Sequence, residues 1–560
     1  MIRLLENEFY YLDNFQRVLD WIGERYADLL DAQEHAFLAA FPALPHAARA
    51  LFVRMVMRKG TLFRASKLRY AEIGCPVEAA GHLLGTGWIE ADPELSLDEL
   101  FDLLSKPEVA EAFPHLRQKS ARKGDLLEAL RADCADLRRF SHWYGDCPDA
   151  QRFSHWHPAC PDIAWRILVK PLCDRLRLVF FGNLHQGWTD FVLSDLGLFR
   201  YETVDISPAS RGFRKRADVE HYLQLYACRE RFAAGEDVDE VMRDLPLHAF
   251  DNDWLESRRE KLTFQIGQHY EKLKNWDGAY AAYARCRFPG ARGRAIRVLE
   301  KHERFDEAHA LLLVAQSAPE NEAERQHLSR IAPRLARRLG HPRLAARAKT
   351  AVERIELCLA PPNGERWVEG AVRGHLHGAD APVFYVENAL ANSLFGLLCW
   401  RAVFAAIPGA FFHPFHRGPA DLHSADFHQR RQPEFTACLA ELDSGSYRDT
   451  IRRTYQEKAG LQSPFVHWDG MPLEVIELAL ACIPPAHLRK WCERILADVK
   501  ENRTGFPDLI QFWPAQSRYL MIEVKGPGDR LQDNQLRWID YCAAHGMPVS
   551  VCYLQWELAA

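Results

Sequence analysis

The spacing of hydrophobic and polar positions changes along this chain, and the change marks its parts. Residues 1–90 carry apolar positions at helical spacing. Two short amphipathic segments follow, Leu97 to Leu104 and Lys123 to Leu130, each with leucines three or four residues apart. Between residues 218 and 356 the pattern is that of helical hairpins. Tyr270…Trp276-Asp277-Gly278-Ala279…Tyr283 returns as Leu299…Phe305-Asp306-Glu307-Ala308…Leu312 at an offset of 29 residues. Near the end the period drops to two. Leu509 to Trp513 is an apolar, strand-like run, and Arg518 to Lys525 alternates Leu520, Ile522 and Val524 against Tyr519, Met521, Glu523 and Lys525.

Those two strands predict a site. Pro514-Ala515-Gln516-Ser517 has the length that commonly closes an antiparallel hairpin. If Trp513 pairs with Arg518, stepping outward along both strands brings Asp508 opposite Glu523. Directly opposed residues have Cβ atoms about 4.5–5.5 Å apart, and like charges so placed destabilise the sheet. Something positive is expected between them, and a hard divalent ion with oxygen ligands fits. Lys525 shares the face of Glu523 and could orient or deprotonate an attacking water, or stabilise charge building on phosphorus. This is the Pro-Asp…Glu-x-Lys pattern of metal-dependent nucleases. A lone Glu-x-Lys is usually a solvated face, but the opposed Asp508 and the glycine turn after Lys525 argue against that here.

The flanks carry a more specific resemblance. Gly505-Phe506-Pro507-Asp508, Glu523-Val524-Lys525-Gly526-Pro527-Gly528-Asp529-Arg530-Leu531, Gln535 and Trp538 resemble the virus-type replication-repair (VRR-NUC) branch of the PD-(D/E)xK nucleases. Upstream, Val386-Glu387-Asn388-Ala389-Leu390-Ala391-Asn392-Ser393-Leu394-Phe395-Gly396 and Arg417-Gly418-Pro419-Ala420-Asp421-Leu422 are similar to the Fanconi-associated nuclease family. The likeness is strong over the last 180 residues or so and reaches weakly to Lys67-Leu68-Arg69-Tyr70-Ala71-Glu72-Ile73. It implies Glu387, Asp508, Glu523 and the Val524 carbonyl as metal ligands for Mg²⁺ or Mn²⁺, with Lys525 catalytic. It also implies cleavage near 5′ flaps, nicks and recessed 5′ ends, by endonuclease and 5′–3′ exonuclease action, in repair of crosslinked DNA. Gln535 sits in the apolar stripe Leu531/Trp538/Ile539/Cys542 and needs a partner there. Packing against the sheet and fixing Lys525 or the water are both open.

The expected architecture is multidomain and mainly α with a C-terminal α/β domain. The parts are a winged-helix-like DNA-binding region (1–90, with a Gly-rich turn near Gly81 and Gly85), a SAP-like helix pair (91–136), a connecting region (137–217), tetratricopeptide-like repeats (218–356) and a restriction-endonuclease-like VRR-NUC domain (370–560). Repeats of that kind usually have a period of about 34 residues.

Composition narrows the picture. At 560 residues and 48% hydrophobic the chain is globular, and no apolar stretch is long enough to span a membrane. Fourteen cysteines scattered among apolar neighbours suit a reducing compartment. A net charge of −5 argues against a generic DNA-coating protein, so any phosphate contacts must be local patches. Arg325 to Lys349 is basic without an acid, and Arg330, Arg334, Arg337 and Arg338 fall on one helical face. A second cluster runs Arg54, Arg58, Lys59, Arg64, Lys67, Arg69. Such runs are either solvated faces or tracks for a DNA backbone. Arg292 and Arg294, flanked by glycines, are either a fork for a 5′-terminal phosphate or exposed residues of a turn. The duplication Arg139-Phe140-Ser141-His142-Trp143…Cys147 as Arg152-Phe153-Ser154-His155-Trp156…Cys160 lacks the close Cys spacing of structural zinc sites and reads as a local loop duplication.

The expected partner is branched or flapped DNA, with no membrane, in a bacterial cytoplasm at the nucleoid. A Holliday-junction resolvase and a non-catalytic scaffold are the rival readings.

Overall fold

The computed structural model describes residues 7–113, 122–131, 137–139, 162–188, 199–205, 211–342, 352–360 and 367–557. The chain divides into two compact units, Met1–Phe199 with Phe213–Val219, and Arg200–Gly212 with Glu220–Ala560.

The first unit opens with three helices, α1 (Tyr10–Arg25), α2 (Ala32–Ala40) and α3 (His46–Met57). Helix α1 buries Tyr11, Leu12, Phe15, Val18, Leu19 and Ile22, the stripe that a 3.6-residue period places on one side. Helix α2 begins at a capping box of Asp31 and Glu34. After β1 (Leu62–Arg64), α4 (Pro76–Gly85) and β2 (Ile89–Ala91), the two strands flank β5 (Ala164–Ile167) as an antiparallel sheet.

One expectation is corrected here. Gly81 and Gly85 do not form a turn but lie within α4, whose Ala79, Ala80 and Leu83 are buried. That burial outweighs the roughly 1 kcal/mol each helical glycine costs. The chain turns instead at Gly87, φ +72°.

The predicted helix pair is present as α5 (Leu97–Leu103) and α7 (Lys123–Arg131), with α6 (Lys106–Ala112) between them. Their Leu100, Phe101, Leu126 and Leu130 share a core with Val109 and with Leu95 of β3 (Glu94–Ser96). Strand β3 pairs with β4 (Leu137–Arg139), and α8 (Lys170–Phe181) follows β5. Most of the Phe-Ser-His-Trp duplication lies outside the described residues.

In the second unit α9 (Arg216–Ala234, which begins in the first unit) and α10 (Val238–Asp244) lead into α11 (Asp253–Lys272), α12 (Trp276–Ala284), α13 (Ala291–Lys301), α14 (Phe305–Ser317) and α15 (Glu322–Arg338). Helices α11 to α15 pack in succession. The offset of 29 residues is the distance between two helix starts, at Trp276 and Phe305. Ala279 and Ala308 are fully buried in the two repeat cores.

The α/β part contains β6 (Glu353–Leu359), α16 (Val368–Leu376), β7 (Val383–Tyr385), α17 (Ala389–Leu398), α18 (Gln432–Ser444), α19 (Tyr447–Glu457), α20 (Leu473–Cys482), α21 (Pro485–Ala497), β8 (Leu509–Trp513), β9 (Arg518–Lys525), α22 (Asp533–Ala544) and β10 (Val549–Trp556). The sheet order is β6-β10-β9-β8-β7, with β10 parallel to β6 and β9, and β8 antiparallel to β9 and β7. Ala371 and Val372 of α16 cover one face through Leu509, Ile522, Val524 and Leu554. On the other, Trp491 of α21 meets Tyr519, and Phe506 lies between Trp491 and Trp538 of α22. Among the described residues the cysteines are free and mostly buried, and no helix is long and apolar enough to cross a membrane.

The repeats depend on one close approach. A Cβ on Gly267 of α11 would stand 2.6 Å from the Tyr283 ring, which is 2% exposed and held by a 2.6 Å hydrogen bond from its hydroxyl to Glu271. Alanine in place of a helical glycine ordinarily stabilises by about 1 kcal/mol. Gly267→Ala should instead destabilise by about 1–3 kcal/mol through overpacking, read as a lower melting temperature of the repeat unit. A rise would mean that α11 and α12 do not meet here.

Candidate active site

The hairpin register is the expected one. Trp513 pairs with Arg518 and Leu509 with Ile522, so the next residues outward, Asp508 and Glu523, face each other. A 3₁₀ turn at Pro514–Gln516 and Ser517 in a left-handed conformation close the loop.

The segment leading into β8 is clamped. Gly505 has φ +90°, and a Cβ on it would stand 2.6 Å from the main chain of Asn534. Only glycine meets both demands. The Phe506 amide donates to Asn388 Oδ1 at 3.2 Å. The Asp508 carbonyl accepts from both Val386 N and Glu387 N, each at 2.9 Å, and its carboxylate Oδ2 accepts from Val524 N at 2.8 Å. Asp508 thereby ties β9 to the start of the α17 segment.

Glu523 is fully buried, and Asp508 and Lys525 are each 8% exposed. Lys525 Nζ stands 2.7 Å from Glu523 Oε1, and neither Glu523 oxygen receives a well-directed hydrogen bond. Burial first, and then the charge of Asp508, pushes the Glu523 carboxyl up to about 8, with Lys525 pulling against both. Asp508 is also raised by burial, against the Val524 amide and Lys525, with Glu369 and Glu387 adding to the rise. One lysine is too little positive charge for two buried carboxylates.

The structure brings Asp508, Glu523, Val524 and Lys525 together. Glu387 is tied to Asp508 by main chain and held at φ +34°, a strained value for a residue with a side chain. Its carboxylate, however, accepts from the Tyr385 hydroxyl at 2.7 Å and from Asn388 Nδ2 at 3.0 Å. Among the described residues no group of three or more Asp, Glu, His or Cys side chains is gathered at metal-binding distance. Three carboxylates would not converge in a desolvated place without a cation to hold them. The donors nevertheless suit a hard ion: they are oxygens, two are buried carboxylates, and one of these has no directed partner.

Gln535 finds its partner in its own helix, where its Oε1 accepts from Gln532 N at 2.8 Å and caps α22. Arg292 grips Glu324 through two nitrogens, at 2.9 and 2.6 Å, and Arg294 donates to Glu271 at 3.1 Å. Arg330 pairs with Asp533 and Arg334 with Glu300, while Arg338 lies 5.8 Å from the Phe305 ring. Residues 343–351, the end of the basic run, lie outside the described residues. Spacing along the chain could not reveal a cleft of about 710 Å³ between the repeats and the α/β part, where Arg287, Arg325, Arg494, Lys500 and Arg537 meet Glu320, Glu322, Glu493, Asp498 and Glu501 from separate segments. Tyr385 was also missed. Its signal was its position two residues before Glu387.

A desolvated carboxylate pair calls for a cation, and a lysine beside it offers a second positive charge to an anionic substrate. A mixed sheet between helices that presents both defines a metal-dependent nuclease. Three family descriptions match the chain: "FAN1, HTH domain" over residues 9–90, "Fanconi anemia-associated nuclease SAP domain" over 94–143 and "VRR-NUC domain" over 442–556, the last beginning downstream of Glu387. A Fanconi-associated nuclease 1 homolog of Pseudomonas aeruginosa is 56% identical, over 99% of this chain and 97% of its own length. Human Fanconi-associated nuclease 1 is 24% identical, and the match spans 97% of this chain and 62% of that protein. The crystal structure of paFAN1 bound to 2-nucleotide 5′-flap DNA with a gap superposes with a TM-score of 0.92 at 55% identity over 100% of both chains. The chain belongs to the Fanconi-associated nuclease 1 family. It is a nuclease of the kind that depends on a divalent metal ion.

The raised Glu523 carboxyl has a consequence for stability. Its folded value of about 8 exceeds the usual carboxylate value, so its contribution is complete at acid pH and is lost as pH rises through about 8. In chelator, Glu523→Gln should melt with wild type near about pH 5. Near about pH 9 it should melt above wild type, by on the order of a few kcal/mol. Adding divalent metal at the alkaline end should reverse that order, because wild type alone gains its full binding energy. A difference that does not move with pH would show that burial of Glu523 costs the fold nothing.

Proposed function

We propose that this protein hydrolyses phosphodiester bonds in DNA near 5′ flaps, nicks and recessed 5′ ends, as an endonuclease and then as a 5′–3′ exonuclease, with Mg²⁺ or Mn²⁺. The observation that carries the reading is the buried Asp508–Glu523 pair with Lys525, in a chain alike over its whole length to a protein crystallised on 5′-flap DNA. Asp508, Glu523, the Val524 carbonyl and Glu387 would hold the ion, with Glu387 turning away from Tyr385. The ion, when bound, supplies charge neutralisation at the phosphate and a more acidic water. Lys525 has donors only, so it is no metal ligand. Released from Glu523, its ammonium can donate to the attacking water or to a non-bridging oxygen as negative charge builds there. Gln535 supports this centre by capping α22, which packs on the Glu523 side of the sheet. The activity fits repair of DNA, including crosslinked DNA, in the cytoplasm of a bacterium at its nucleoid.

The same reading gives Arg292 and Arg294 to a 5′-terminal phosphate, and Arg330, Arg334 and Arg338 to duplex phosphates. Four of these five already face carboxylates, so binding exchanges Glu324, Glu271, Asp533 and Glu300 for phosphate oxygens.

With Mg²⁺ present, 5′-flap DNA should be cut in preference to 3′-flap, four-way and blunt duplex substrates. Lys525→Ala should leave all four intact while still titrating Mn²⁺ calorimetrically, whereas Glu523→Ala should lose the ion. Symmetric cutting of the four-way junction, or a Lys525→Ala protein that binds no Mn²⁺, would overturn these assignments.

Replacing Arg330, Arg334 and Arg338 together by alanine should weaken DNA binding evenly across sequences. The slope of log affinity against log salt should flatten by about 0.9 per lost contact. An unchanged slope would place the DNA path elsewhere.

A further inference from the structure

Two exposed aromatic rings border the carboxylate pair. Trp367 is 49% exposed and Tyr385 39%, and their rings meet edge to face with centroids 6.0 Å apart. Neither is required by the core, since α16 packs on the sheet through Ala371 and Val372. Both are anchored next to the site. Tyr385 pairs with Leu509, one residue after Asp508, and its hydroxyl donates to Glu387 at 2.7 Å. Val368, which follows Trp367, lies so close to Gly526, the residue after Lys525, that a Cβ there would be 3.1 Å from Val368 Cγ2.

The indole is also held in place. A Cβ on Gly370 would stand 2.2 Å from Trp367 Cε3, so the ring lies where only glycine leaves room on the first turn of α16. The Arg373 guanidinium lies 5.7 Å from its centroid.

We propose that Trp367 and Tyr385 form a stacking platform for one unpaired nucleobase of the strand being cut. The inference rests on the nuclease reading of the site. Aromatic faces stack on any base without reading its edge, which suits an enzyme selective for structure rather than sequence. The platform is continuous with the site through the pairing of Tyr385 with Leu509, the residue after Asp508, which holds whichever way Glu387 turns. A base seated there would be splayed from its neighbours beside the reactive centre, and the backbone would be drawn toward Lys525.

The test uses the full-length Lys525→Ala protein with Mn²⁺, so that DNA stays intact, and 2-aminopurine as the base analogue. Placed at the unpaired nucleotides next to the flap junction, the analogue should be quenched on binding. Trp367→Ala should restore its fluorescence and weaken flap binding by about five-fold or more, with blunt duplex binding unchanged. Trp367→Phe should recover most of both. Trp367→Leu, which keeps apolar bulk without an aromatic face, should behave as alanine does and serves if the alanine variant fails to fold. A flap base that stays fluorescent on the parent protein, or a leucine variant with parental quenching and affinity, overturns the platform. The nuclease reading fails separately, if the wild-type chain with Mg²⁺ cuts no flapped DNA.

Discussion

Asp508 is the constraint around which the α/β part is arranged. Its carbonyl holds Val386 and Glu387, its carboxylate holds the Val524 amide, and its place one residue beyond the ladder sets it against Glu523. Replacing its side chain would release the Val524 amide, while β7, β8 and β9 stay joined along their ladders. The same residue is also half of a like-charge pair in a place with little water, so the element that organises the site opposes the stability of the metal-free fold.

The surrounding sequence offsets that opposition with packing and restricted backbone. Gly505 lets the chain pass against Asn534, Phe506 is wedged between two tryptophans, and α16 seals the far face of the sheet. Lys525 partly neutralises Glu523 but leaves one oxygen without a charge partner. Function is thereby held against stability, as active sites often require. The helical repeats join the same unit through α15, where Arg330 meets Asp533 at the start of α22.

Membership of the Fanconi-associated nuclease 1 family accounts for the order of parts: a helix-turn-helix region, a SAP region and a VRR-NUC domain. The net charge of −5 confines phosphate contacts to local groups of this plan. The cleft with Arg287, Arg325, Arg494, Lys500 and Arg537 also carries Glu320, Glu322, Glu493, Asp498 and Glu501, so it is balanced in charge rather than basic. It sits between two parts of the chain that local patterning treats separately.

Much of this was legible in the residues alone. A period of two fixes which side chains share a face, and a short loop fixes register, so the meeting of Asp508 and Glu523 followed from counting. Amphipathic helices and their caps were local properties too, as at Leu97–Leu103 and in the repeats that begin at Trp276 and Phe305. Gly81 and Gly85 misled because burial of their neighbours decided the helix. Tertiary structure alone decided which charges are already paired: Arg292 with Glu324 and Arg334 with Glu300 are 32 and 34 residues apart along the chain. It alone decided that Glu387 turns to Tyr385, and that an indole lies across Gly370. The physical reason is range. Periodicity and turn chemistry act between neighbours in sequence, whereas burial, ion pairing and desolvation act between neighbours in space, and those are chosen only when the chain has folded.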